Sequence, residues 1–513
     1  MTKKIHLIAF ICLLASSING FSQRYLTEVF TSVTVTPNVK YGTNVSVITG
    51  SPAPSDLFMD VYQPTGDVLA ARPLVIVLHT GSFLPTPING QPTGSRKDSA
   101  VVEMCTKFAK RGYVAVAATY RLGWNPTSTD QDVRTGTLLN AVYRAIQDTK
   151  NCVRYFKNDA ATSSTYKIDS TKIAVGGIGS GGYVALAYAT LNKPTELQLP
   201  KFVNLNLNPP QQYVNQAVSG NFDGTNTTAL NTANYPGHTS SINVIFNIGG
   251  ALGDTTWLEA GEIPVISLQC SKDPFAPYKT GAVIVPTTGD FVVEASGSYT
   301  VQRKAEQFGN NAILNTPVFN DPYSLRANMV NDGYKNLFPF VTPAPGAAFP
   351  CGPQTEQGSP WDWWNQAAFV AAYNAATSTT NGAGANCKQL ISNPDMSPTK
   401  GRTYIDTIQG FLNPRLFRAL GLSTSNSIKE NTNNGLVTIY PNPTTADFTV
   451  ALTGNTMIQQ VELYDVTGRL VKNVTGLNTQ KYTVSRADLQ PGVYFSRIKL
   501  NNKEEITKKV ILK

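Results

Sequence analysis

Histidine is scarce in this chain: 513 residues hold three, His6, His79 and His238. Cysteine is sparse too, and none of the six falls in a CxxC or CxxH spacing, so the sequence supports no metal site; no cofactor is expected either. Charged residues make up only 15%, and the formal excess of +9 is scattered rather than gathered into a basic run interleaved with aromatics. That pattern argues against nucleic acid as a partner and reads as a weakly basic, solvated surface. Beyond the first 22 residues no stretch approaches the roughly 18 consecutive apolar residues of a transmembrane segment.

The amino terminus is different. Lys3 and Lys4 precede an apolar stretch from Ile5 to Ser17, and Gly20-Phe21-Ser22 offers a small-x-small cleavage site before Gln23. Residues 1–22 therefore read as a signal peptide and the protein as exported. Cys12 follows Ile11 rather than a small residue, so it reads as part of the apolar stretch and not as a lipid-modified cysteine. Removing the leader leaves Cys105, Cys152, Cys270, Cys351 and Cys387. An odd set leaves at least one thiol unpaired. Cys351 and Cys387 flank one loop-rich excursion and are the candidate disulfide, while Cys270 ends an apolar run and reads as a core thiol.

A chain this long exceeds one ordinary domain, and 40 glycines with 32 prolines suit a loop-rich fold. Residues 23 to about 65 alternate polar and β-branched side chains, the mark of antiparallel strands at a sheet edge. PLVIVLHTGSF, YVAVAATYRLG, KIAVGGI, INVIFNIGG and IPVISLQC are continuous apolar runs of the kind buried on both faces. Helical spacing appears over 98–111, at Val142, Ile146, Thr149, Val153 and Phe156, from near Ser180, and around 403–420. Strands alternating with helices predict an α/β domain over 23–421, with a mostly parallel sheet and long lid or insertion loops near 200–238 and 312–397. Residues 422–435 are polar and aperiodic, a linker. Short alternating runs over 436–513 predict a small all-β sandwich.

Four ordered motifs mark the last domain: Tyr440-Pro441-Asn442-Pro443, Leu463 to Arg469 with Gly468, Leu489 to Tyr494 with Gly492, and Lys508-Lys509-Val510-Ile511. Together they resemble the type A C-terminal sorting domain of type IX secretion cargo in Bacteroidota. That resemblance implies the type IX machinery as partner and passage through the periplasm and outer membrane. It also implies removal of the domain near the linker, with attachment to surface lipopolysaccharide or release. Read as residues alone, the prolines restrict the start of a strand, and Gly468 and Gly492 supply turns; an adhesive sandwich is the plainer alternative.

Residues 55–300 resemble an α/β-hydrolase of the carboxylesterase type through DVYQP, LHTGSF, KRGYVAVAATYRLG, KIDSTKIAVGGIGSGG and PVISLQCSKDPFAPY. The resemblance implies an oxyanion loop at His79-Thr80-Gly81-Ser82, where Thr80 and Ser82 replace glycines. It implies a nucleophile elbow at 177–181 and an acid at Asp273. With the flanking glycines in register, the nucleophile position holds Gly179, a degenerate elbow; sliding by one makes Ser180 the nucleophile but puts Ile178 in a glycine position. Ser180 also reads as a helix cap. The family order is serine, acid, histidine, and no histidine follows Asp273, which itself also reads as a turn residue. His238 either reaches the site from the insertion or is a surface-loop residue. Ser359-Pro360-Trp361-Asp362 looks like a capped helix start, and Trp361, Trp363 and Trp364 either line a ligand site or pack a lid.

Three readings stay open. The first is a secreted or cell-surface pseudo-hydrolase with a binding or structural role. The second is an active carboxylesterase using Ser180, Asp273 and His238. The third is a glycan-binding surface protein.

Overall fold

The computed structural model describes residues 24–285, 288–316, 318–346, 351–422, 437–465, 470–502 and 504–513. The expected leader at 1–22, the linker from 423 on, and Gly468 lie outside these residues. Two compact units divide between residues 423 and 424.

The first unit is built on eight strands: β1 (Val33–Ser46), β2 (Ala53–Pro64), β3 (Arg72–Leu78), β4 (Val114–Ala118), β5 (Ile168–Ile178), β6 (Val244–Ile248), β7 (Val265–Cys270) and β8 (Leu337–Phe340). Their order across the sheet is β1-β2-β4-β3-β5-β6-β7-β8. β1 pairs antiparallel with β2 and β2 with β4, and every pairing from β4 to β8 is parallel. Successive side chains of a strand point to opposite faces. Leu74, Ile76 and Leu78 of β3 accordingly join one core cluster, and Val75 and Val77 the other. A strand buried on both faces needs an unbroken apolar run, which is what the sequence shows.

The first face is covered by α2 (Gln131–Ala161) and α3 (Ser180–Thr190), the second by α1 (Ser99–Lys110) and α7 (Pro398–Ala419). Between them in sequence come α4 (Ser298–Gln307), α5 (Gln366–Thr377) and α6 (Gly382–Leu390). Within α2, Asp148 is fully buried against Arg121, whose Nε lies 2.9 Å from both carboxylate oxygens. This pair ties β4's exit to α2.

Two expectations are corrected. The stretch 312–397 is not wholly an insertion, because it contains β8, the eighth strand of the sheet, in register with β7 from Ser267↔Leu337 to Cys270↔Phe340. β8 is four residues long and contains Pro339; a proline without an N–H is tolerated there because the strand is an edge, and both features hid it. No helix starts at Ser359: α5 begins at Gln366, with Asn365 Oδ1 accepting from the Ala368 N–H at 3.0 Å.

The second unit contains β9 (Val437–Tyr440), β10 (Phe448–Leu452), β11 (Ile458–Asp465), β12 (Leu470–Val474), β13 (Lys481–Val484), β14 (Gly492–Leu500) and β15 (Glu505–Leu512). They form antiparallel sheets β9-β10-β13 and β12-β11-β14-β15 around a core of their own. Asn442 links two of the tail motifs: its Nδ2 donates to Lys509 O at 2.7 Å and its Oδ1 accepts from Ile511 N at 2.9 Å. No helix among the described residues is long and apolar enough to cross a membrane.

Candidate active site

Strand β5 turns into α3 through Gly179, whose φ of 53° and ψ of −118° put it in a region that side-chain-bearing residues rarely adopt. The glycines on either side set the frame. A Cβ on Gly177 would lie 2.3 Å from the Gly181 carbonyl carbon, and one on Gly181 would lie 2.5 Å from Leu78 O. Strand and helix approach that closely only because both positions lack side chains. The residue between them, on the strained turn of an elbow, is Gly179. A Cβ there would lie 2.2 Å from Thr80 Oγ1, so the threonine hydroxyl fills the space of the missing side chain.

Ser180 is the first helical residue, one position past the strain, and Gly179 in the cap position makes no side-chain bond. The Ser180 Oγ lies 3.0 Å from the Tyr120 phenol, and that phenol donates to His79 O at 2.8 Å. With its own proton committed, Tyr120 accepts from Ser180. The serine thus faces a phenol rather than an imidazole.

His79 is buried, stacks on Tyr120 at 4.4 Å, and its Nδ1 lies 2.6 Å from Thr80 O. A carbonyl only accepts, so Nδ1 carries the proton. Burial lowers the imidazole pKa to about 4. His238 sits elsewhere: its Nε2 lies 3.2 Å from Asn158 Oδ1, near the end of α2. The nearby Asn243 N–H donates to Ile173 O, where β5 begins its buried run. Ser180 lies past the other end of β5, roughly 20 Å away at ~3.3 Å per residue. The structure therefore does not bring Ser180, Asp273 and His238 together.

The loop that follows β3, expected from the sequence as an oxyanion loop, is tightly wound. Gly81 has φ 115°, and Ser82 and Phe83 follow at 54° and 56°. A Cβ on Gly81 would lie 2.4 Å from Gly94 Cα, so this position has no room for a side chain.

Thr80, Gly179, Ser180 and Asp273 open onto one cavity of about 210 Å³. Its lining combines apolar side chains, among them Leu138, Val142, Ala251, Trp257 and Val293, with polar ones, among them Gln91, Ser359, Gln389 and Asn393. Asp273 follows β7; its Oδ1 accepts from Phe275 N at 2.8 Å and Ala276 N at 3.2 Å, and desolvation raises its pKa to about 7. It serves as a turn residue and also faces the cavity.

Of the three tryptophans, only Trp364 lines the cavity, its Nε1 donating to Asn386 Oδ1 at 2.8 Å. Trp361 is 1% exposed and packs near Phe340, and Trp363 packs against Gly401 with the Arg402 guanidinium 5.4 Å above its ring. Cys351 and Cys387 form a disulfide, and Cys105, Cys152 and Cys270 are buried free thiols. The bridge closes the loop that carries Ser359, Asp362 and Trp364 over the cavity.

Asp362 was not legible as a site residue. It lines the cavity and is 7% exposed, and burial, with like-charge repulsion from Asp98, pushes its carboxyl well above the usual range. In the sequence it sits among tryptophans in the manner of a helix-start residue. No group of histidine, cysteine and carboxylate side chains among the described residues could hold a metal ion.

Residues 59–284 match the BD-FAE family model, and residues 438–513 match the model described as a secretion system C-terminal sorting domain. A comparison with curated protein sequences finds no match. Solved structures that resemble the chain include Thermogutta terrifontis esterase 2 phosphorylated by paraoxon, 17% identical over 48% of this chain and 74% of that one, with a TM-score of 0.29. Its apo form is 17% identical over 44% and 70%, at 0.28. The propionate-bound esterase is 18% identical over 44% and 70%, at 0.27. Residues 59–284 are thus an esterase-like α/β-hydrolase domain of the BD-FAE type, and residues 438–513 are a secretion system sorting domain that implies export.

Proposed function

We propose that the first unit is an exported binding protein on an α/β-hydrolase frame, without esterase turnover. One observation carries this reading: the strained residue of the elbow is Gly179, and Thr80 Oγ1 stands 2.2 Å from where its Cβ would be. A covalent acyl intermediate needs a nucleophile at that point and an adjacent base. Ser180 has instead a phenol as partner, and His79 and His238 are committed to Thr80 O and Asn158. The cavity that remains suits a ligand with an apolar arm and a polar head. Export by the type IX machinery, removal of the tail near the linker, and attachment to lipopolysaccharide or release complete the proposal. The tail's motifs support it.

The test is labelling with a fluorophosphonate and turnover of p-nitrophenyl butyrate. The expected result is no labelling and no hydrolysis above that of the Ser180→Ala variant. Labelling or turnover that disappears in Ser180→Ala would overturn the reading in favour of an esterase.

A further inference from the structure

The cavity's charge runs against that of the chain. The sequence carries a formal +9, yet no lysine, arginine or histidine is among the described residues lining the cavity, whose carboxyl groups are Asp273 and Asp362. The two are not equivalent. Asp273 accepts two backbone N–H groups in its own turn, and the neighbouring Asp98 accepts from Gly94 N, Ser95 N and Ser95 Oγ. The Asp362 carboxyl has no ion pair and no hydrogen bond among the described residues, although Asp362 is 7% exposed. A buried carboxyl left without a partner costs several kcal/mol if ionised. The nearby Lys400 does not relieve it, since its ammonium is held by Asp395, by Gln357 Oε1 at 2.7 Å and by Asn393 Oδ1 at 2.6 Å. The aromatic residues Trp364 and Phe275 line the same cavity, and aromatic rings attract cations.

We propose that the cavity takes an organic ammonium ion with an apolar or aromatic arm, and that Asp362 is its counter-ion. The ammonium supplies the hydrogen bonds and the charge that Asp362 lacks, while the arm packs on apolar lining residues such as Val142 and Trp257. The inference rests on the reading of this cavity as a binding site. An anionic ligand finds no cationic partner among the described lining residues, and a neutral alcohol of the same shape gains the apolar burial without the charge pairing.

The experiment is calorimetric titration of the full exported chain with 4-phenylbutylamine, 4-phenylbutan-1-ol and 4-phenylbutyrate. The amine is expected to bind at least about tenfold more tightly than the alcohol, with the carboxylate weakest. Asp362→Asn is expected to lower amine affinity about tenfold while alcohol affinity stays within about twofold, which also shows that the fold is retained. Amine binding no tighter than alcohol binding, no amine binding at millimolar concentration, or an amine preference that survives Asp362→Asn overturns the assignment. The first of these leaves the binding reading in place, whereas Ser180-dependent ester hydrolysis overturns that reading and leaves the charge preference standing.

Discussion

Gly179 and Thr80 compete for one volume, and the competition can be measured. Gly179→Ser adds a side chain at φ 53° and drives it into Thr80 Oγ1, so it is expected to destabilise the first unit by about 2–3 kcal/mol. Thr80→Gly vacates the volume. In urea denaturation the double variant should recover about 1 kcal/mol or more relative to the sum of the singles, because residues in contact couple; strict additivity would show that the two do not meet. A serine placed at 179 in this way still lacks a base, so the double variant is expected to gain no ester turnover. Asp362 makes a separate prediction in pH. A carboxyl whose pKa is raised on folding keeps a proton that the unfolded chain has released, so the native state binds more protons and stability falls as pH rises through the window. Asp98, raised to about 7, and Asp362, raised well above its usual value, both act in this direction from about pH 4 upward, as does Asp273. His79, lowered to about 4, acts oppositely up to about pH 6.5, but it is present in wild type and variant alike and drops out of the difference. Asp362→Asn is therefore expected to be near neutral at pH 4 and stabilising by about 1–3 kcal/mol at pH 8. A gain independent of pH would show that the Asp362 carboxyl titrates alike in the folded and the unfolded chain, so that folding does not raise its pKa.

Among the elements, the segment from Cys351 to Cys387, which lies over the cavity, is closed by a covalent bond. The Cys351–Cys387 bridge spans 36 residues and encloses Ser359, Asp362 and Trp364, and Gln389, just past it at the end of α6, donates to Gly90 O at 3.2 Å. Closing a loop of that length removes unfolded-state entropy worth about 3–4 kcal/mol. The Cys351→Ser/Cys387→Ser variant is expected to lose about that much stability and to be nicked faster by protease within 351–397, with the sheet's circular dichroism retained. Equal protease resistance would mean that packing alone holds the lid. The sequence makes the sheet legible because parallel strands buried on both faces must be apolar without interruption, and β3, β4, β6 and β7 are. β8 was not legible because four residues with a proline at a sheet edge carry no periodic signal. The elbow's register could be read from its glycines, since Gly177 and Gly181 are required by backbone contact. Asp362 could not, because what distinguishes it is the absence of a partner, and partners of a lid residue come from distant parts of the chain.

At the scale of the whole molecule, the two units have separate cores and different spectroscopic reporters. All five tryptophans, Trp124, Trp257, Trp361, Trp363 and Trp364, lie in the first unit, so their emission follows its unfolding alone. The tail depends on a different kind of contact. Asn442, between two prolines, bridges Lys509 O and Ile511 N on β15 and so fastens the start of the tail to its last strand. Asn442→Ala removes both bonds at an exposed site, where each is worth about 1 kcal/mol. The expected outcome is a tail transition weakened by about 1–2 kcal/mol in circular dichroism, with the tryptophan transition unmoved. Export should fall with it, because a sorting domain that unfolds presents its motifs less often in the folded arrangement; secreted protein in the culture medium and at the cell surface would be measured against the periplasmic pool. If Asn442→Ala weakens the tail but leaves export at the wild-type level, then recognition reads the motifs as linear sequence rather than as the folded sandwich that Asn442 closes.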